Sequence, residues 1–163
     1  MRTTVASAGS AAFFVVAPGT VVGLIPWLIT GWALPHGGAP LRVAQAVGVV
    51  LIAAGLIPLL HAFTQFARAG GTPAPVAPTE HLVVTGFNRY VRNPMYVGLV
   101  LAILGQALLF RSPELVVYAV IVWIATASFV LLYEQPTLTR RYGNQYEEYK
   151  LNVPAWLPRL RPW

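Results

Sequence analysis

At 163 residues the chain has room for one domain and is short for two. Its residues are 56% hydrophobic and only 10% charged, whereas a soluble domain carries about 25% charged residues to wet its surface, so lipid is the expected solvent. The net charge of +6 is scattered between apolar stretches, which argues against a nucleic-acid partner. The lack of cysteine excludes disulfides, thiol nucleophiles and thiolate metal sites.

The N-terminal residues hold Arg2 and then an apolar stretch too long for a signal peptide, so a retained first helix is expected. From Thr3 to Leu41 no Lys, Arg, Asp or Glu occurs, and Ala11 to Leu34 reads as one transmembrane helix kinked at Pro18-Gly19 and Pro26. Such breakers are tolerated where neighbouring helices satisfy the freed backbone groups. A turn, PHGGAPLR, leads to a second span from Val43 to Phe66. These two helices form the N-terminal pair, within residues 1–68.

The Pro-rich segment GGTPAPVAPTEH reads as a loop or strap. A third span starts cleanly at Pro94, whose missing N–H costs nothing at a helix start, and runs to Phe110. At about 1.5 Å per residue it reaches ~26 Å, short of a ~30 Å hydrocarbon core. Arg111-Ser112-Pro113-Glu114 makes a turn, and Leu115 to Tyr133 is the fourth span. Beyond Glu134, Leu138, Tyr142, Tyr146, Tyr149 and Val153 recur at three- and four-residue intervals, as in an amphipathic cytoplasmic helix lying on a membrane or beneath the bundle. Trp156 and Trp163 read as interfacial anchors.

The expectation is therefore an all-α integral membrane protein of one domain, with about four transmembrane helices, five being the other count. With four spans, nine of the Lys and Arg residues fall on one side and only Arg42 and Arg111 on the other. Positive residues favour the cytoplasm, so the active face and both termini are expected there, the membrane being the inner or plasma membrane if the source is bacterial. His36, His61 and His81 lie far apart without ligand spacing, and no metal is expected.

Two clusters share the cytoplasmic face: RYVRNPMYVG at the entry of the third span, and LLYEQPTLTRRYGNQYEEY at the exit of the fourth. The short hairpin between these helices brings Arg92 towards Glu134. Ionisable residues at membrane depth are costly and are candidates for function, the alternative being an ion pair that only fastens two helix ends. Gly98 and Gly105, seven apart, share a helix face where either a ligand or another backbone can approach closely. Gln106 packs on a polar partner or lines a pocket.

These segments, from LVVTGFNRYVRNPMYVG to YEQPTLTRRYGNQYEEYKLNVPAWLP (residues 82–158), resemble the integral membrane methyltransferases that include isoprenylcysteine carboxyl methyltransferases and phospholipid methyltransferases. The matching positions are Arg92-Asn93-Pro94-Met95-Tyr96-Val97-Gly98, Glu134-Gln135, Tyr142-Gly143 with Tyr146 and Tyr149, and Val153-Pro154. The resemblance implies S-adenosylmethionine as cofactor, held by Asn93, Pro94, Tyr96, Gly98, Gly105, Gln135 and Tyr146, with Arg92 and Glu134 as the charged residues of the reaction centre. It implies a lipophilic substrate drawn from the membrane lipid: a prenylcysteine-like carboxylate, a phospholipid amine or another small amphipath. Asn93 stands where the family pattern often has His, and Gln135 where it has a second Glu. A noncatalytic relative that binds a ligand or partner at the same face is the competing reading. Oligomeric state has no signature in the sequence.

Overall fold

The computed structural model describes residues 16–68, 82 and 84–163. Among the described residues the regular structure is entirely helical. Helix α1 (Val16–Thr30) and helix α3 (Pro94–Phe110) are short and apolar, while α2 (Ala39–Arg68) and α4 (Pro113–Tyr142) contain windows long and apolar enough to cross a membrane. Only 17% of each of those windows is buried inside the protein. A soluble core helix would be mostly buried, so these apolar surfaces are turned outward, as lipid exposure requires.

α1 ends at Thr30, short of Leu34, because Gly31 takes a left-handed conformation at φ 57° and returns its N–H to the Trp27 carbonyl. Ala11 to Val15 and the Pro-rich segment with His81 lie outside the described residues. α2 starts four residues before Val43, with Pro40 in its first turn. α3 has the bounds that the sequence predicts.

The two prolines Pro26 and Pro136 act alike. Each follows a π turn, Gly19–Leu24 in α1 and Val130–Glu134 in α4. The last π bond is made by the residue just before the proline, Ile25 to Thr20 and Gln135 to Val130. Proline cannot donate the next bond and its ring crowds the preceding turn, so the helix widens there. In α1 this orphans the carbonyls of Val21 and Val22. The Tyr118 hydroxyl of α4 donates to Val21 at 2.9 Å, and Gln106 Nε2 of α3 donates to Val22 at 2.8 Å. Gln106 is thus the internal donor that lets a broken helix pack in an apolar bundle.

α2 and α3 approach until backbone meets backbone. A Cβ on Gly98 would lie 2.5 Å from the Gly55 carbonyl oxygen, and one on Gly105 would lie 2.6 Å from that of Gly48. The hairpin to α4 closes through Arg111 at φ 52° and Ser112, whose Oγ accepts from the Leu115 N–H. Ile103, Ala107, Leu115 and Ala119 form the core between α3 and α4, with Val21 packed on it from α1.

Past Tyr142 the expected single helix breaks at Gly143, φ 51°, and resumes as α5 (Asn144–Asn152). The periodic side chains Leu138, Tyr142, Tyr146, Tyr149 and Val153 nevertheless gather in one cluster, with Leu82 and Val84 from the segment before α3. The stripe is spent on packing within this cluster.

Candidate active site

Arg92, Asn93, Pro94, Tyr96, Glu134 and Tyr146 meet at the N-terminal end of α3, whereas Gly105 lies farther along it. Pro94 opens that helix and Asn93 stands at its N-cap position. Asn is a favoured capping residue, yet its side chain makes no cap bond here. Instead Asn93 Nδ2 donates to the Ala155 carbonyl at 3.0 Å, and its own N–H reaches the same oxygen at 3.3 Å. The Arg92 N–H donates to Pro154 O at 2.9 Å. Farther along, the N–H of Arg159 bonds Tyr90 O, that of Trp163 bonds Arg89 O, and Arg89 Nε donates to Trp163 O at 2.8 Å. Tyr149 donates its hydroxyl to Asn88 O at 2.7 Å. Residues 154–163 thus lie along residues 89–93 as a strap that fixes the backbone carrying Arg92. The backbone N–H and the side-chain Nδ2 of Asn93 both donate to this strap, while its carbonyl accepts from the Val97 N–H of α3 at 3.0 Å.

The Arg92 guanidinium is inserted where its Nε and Nη1 are buried without a hydrogen-bond partner. A buried unpaired donor costs about 1–3 kcal/mol, more when charged. The phenol of Tyr146 lies against this guanidinium, and burial pushes that phenol's pKa up while the Arg92 charge pulls it down. Burial likewise raises Tyr149, again opposed by Arg92. Both phenols therefore stay protonated at neutral pH.

Across from Arg92, Glu134 ends the π turn of α4, half buried. Its Oε2 accepts from the Tyr96 hydroxyl at 3.4 Å, and it feels the Arg92 charge. The two do not form the helix-fastening ion pair; among the described residues the ion pair formed is Lys150 with Glu147 at 2.9 Å. Gln135 is half buried beside Glu134. The result is a cation with free donors and a carboxylate held by a phenol, close enough to interact but not to neutralise each other. That pattern suits a ligand with charges of both signs.

Gly98 and Gly105 lie where α3 packs against α2. The space left by their missing side chains is taken by the α2 backbone at Gly55 and Gly48, so they serve helix packing. The sequence missed the strap, because carbonyls of Pro154 and Ala155 carry no residue signature. An apolar cleft of about 860 Å³, lined by Leu41, Ala44, Leu104, Leu108, Arg111 and Val116, opens at the opposite end of the bundle, away from these motifs.

Residues 43–145 match the model of the phospholipid methyltransferase family. The chain belongs to that family of methyltransferases. It is also similar to the Protein-S-isoprenylcysteine O-methyltransferase of Schizosaccharomyces pombe, 33% identical over 48% of this chain and 34% of the relative. It resembles the A and B Protein-S-isoprenylcysteine O-methyltransferases of Arabidopsis thaliana too. These are 28% and 26% identical over 85% and 82% of this chain, which spans 66% and 64% of their lengths. The chain thus spans between about a third and two thirds of these curated relatives. No solved structure matches it.

Proposed function

We propose that the chain is an S-adenosylmethionine-dependent methyltransferase acting on a lipophilic substrate within the membrane. The observation that carries this reading is the Arg92 guanidinium, buried with two unpartnered donors beside Glu134, inside the segment that matches the family. The donor set fits the cofactor: a carboxylate can take one of the two free donors of Arg92, Nε or Nη1, and its cationic end can face Glu134. When bound, the cofactor supplies an electrophilic methyl group on a sulfonium.

Arg92 would anchor one end of the ligand, and Tyr96 would hold the Glu134 carboxylate in place. The neutral Tyr146 hydroxyl would border the guanidinium, with Pro94 and Gln135 shaping the rim. In-line transfer needs mainly alignment and exclusion of water, which a half-buried helix-end site provides. A carboxylate acceptor is already ionised and needs no base, whereas an amine would have to shed a proton, with Glu134 as the group to take it. With Gln135 in place of a second Glu, and with relatives named as O-methyltransferases, the carboxylate is favoured.

In this reading α1 to α4 all cross the membrane, with residues 82–158 forming the catalytic part and both termini in the cytoplasm. Glu134 stands ~32 Å along α4 from Pro113, at the boundary of a ~30 Å hydrocarbon core. The last turns of α4, carrying Arg140 and Arg141, then emerge on the positive side.

The test is transfer of an isotopically labelled methyl group from the cofactor into lipid extracts and prenylcysteine analogues by detergent-purified protein, with Arg92→Ala and Glu134→Gln alongside. Each charge-assisted contact is worth about 1.5–3 kcal/mol, so each variant should lose at least about tenfold in cofactor affinity or transfer while still accumulating in membranes. Absence of cofactor binding at millimolar concentration would refute the enzyme reading. Binding without transfer to any acceptor would favour a noncatalytic relative.

A further inference from the structure

The two tryptophans expected to anchor the C-terminal segment are engaged with the protein. Trp163 packs on Tyr149 with ring centroids 5.7 Å apart, and Trp156 packs edge-on against Trp123 of α4 at 6.1 Å. Trp163 keeps 38% of its surface exposed, and the most exposed apolar side chains are leucines. Leu151 is 87% exposed, Leu157 79% and Leu160 99%. They are not on a loose tail: the backbone bonds to Tyr90, Arg92 and Asn93, with Arg159 Nη1 on Asn152 O at 2.8 Å, fix the segment in place. A fixed backbone that displays almost fully exposed leucines keeps apolar surface in contact with whatever surrounds it.

Three features identify that surrounding. Leu157 and Leu160 alternate with Arg159 and Arg161, and no acidic residue occurs from Tyr149 to Trp163. Trp156 ties the strap to Trp123, which lies within the apolar α4. Towards its exit that helix also exposes Leu131 and Leu132, 59% and 80% accessible. The strap is therefore continuous with the lipid-facing surface. Short apolar side chains interleaved with arginines match the boundary between acyl chains and anionic headgroups.

We propose that the strap, residues 154–163, is a membrane-surface element. Leu157 and Leu160 enter the leaflet nearest the N-terminal end of α3, and Arg159 and Arg161 engage anionic headgroups. This rests on reading the chain as membrane-spanning. Because the strap holds the backbone of Arg92 and Asn93, its seat on the leaflet also holds the entrance to the candidate active site at the bilayer surface, where a lipophilic substrate arrives.

The chain has no cysteine, so a single introduced thiol can carry a fluorophore. Leu160→Cys reports on the strap and Val120→Cys, on the exposed face of α4, reports on the span. Both labelled proteins are reconstituted into vesicles of phosphatidylcholine, with or without phosphatidylglycerol. The expected result is strong quenching of both labels by spin-labelled lipid and weak quenching by aqueous iodide. At position 160 lipid quenching should rise several-fold with phosphatidylglycerol and fall again in high salt. Iodide quenching at 160 with lipid quenching at 120 would overturn the proposal and leave the membrane reading standing. Protection of 160 from both quenchers that grows with protein density would overturn it in favour of a second copy. Insensitivity to phosphatidylglycerol would overturn the headgroup assignment, and iodide quenching at both positions would remove the membrane reading itself.

Discussion

Replacing Gly98 by alanine separates packing from ligand binding at the centre of the bundle. The added Cβ would sit 2.5 Å from the Gly55 carbonyl oxygen and 3.1 Å from Pro58 Cγ. Ordinary contact begins at 3.4 Å, so the helices must part by about 0.9 Å at that level, and neither obstacle is the flexible end of a side chain. Overpacking of this kind costs about 1–3 kcal/mol. The reciprocal change Gly55→Ala meets Gly98 O at 2.5 Å and Ala102 N at 2.7 Å, and should cost a similar amount. Because both act on one contact, the double variant should lose clearly less than the sum of the two. Helicity followed through an SDS titration of micelle-purified protein measures all three. If Gly98→Ala keeps the wild-type unfolding midpoint while cofactor affinity collapses, the glycine faces a ligand and the packing argument is wrong.

Two further outcomes follow from the polar contacts. Gln106→Leu and Tyr118→Phe each leave a carbonyl of α1 unpaired beside Pro26, so each should destabilise the fold by about 1–3 kcal/mol, read by the same titration. An unchanged midpoint for both would mean that those carbonyls find other partners. Asn93→Ala removes a bond from the strap and should lower stability by about 0.5–1.5 kcal/mol. Its effect on cofactor affinity should vanish in an Arg92→Ala background, because Asn93 acts through the Arg92 backbone. An equal loss in both backgrounds, by calorimetric titration, would return Asn93 to direct cofactor contact.

Much of the helical plan is determined locally. The bounds of α3 follow from Pro94, which supplies a start, and from the Arg111-Ser112-Pro113 turn, which supplies a stop. The stripe from Leu138 to Val153 is legible as a buried face because its period survives the break at Gly143. The motif pattern brings Arg92, Tyr96 and Glu134 together because hairpin neighbours on adjoining helix ends must meet, and Tyr146 joins them from α5.

Tertiary structure alone decides what each contact is for. Spacing puts Gly98 and Gly105 on one face, but only the position of α2 shows that a backbone fills it. A glutamine in an apolar helix announces a polar partner, while only the assembled bundle reveals that Pro26 created the need for one. Asn93 sits at a helix start, the usual place for a cap, and only the path of residues 154–163 turns its amide towards Ala155. Local patterns are written in side chains, whereas these partners are main-chain carbonyls and glycine surfaces, identical along any sequence until the fold brings them into reach.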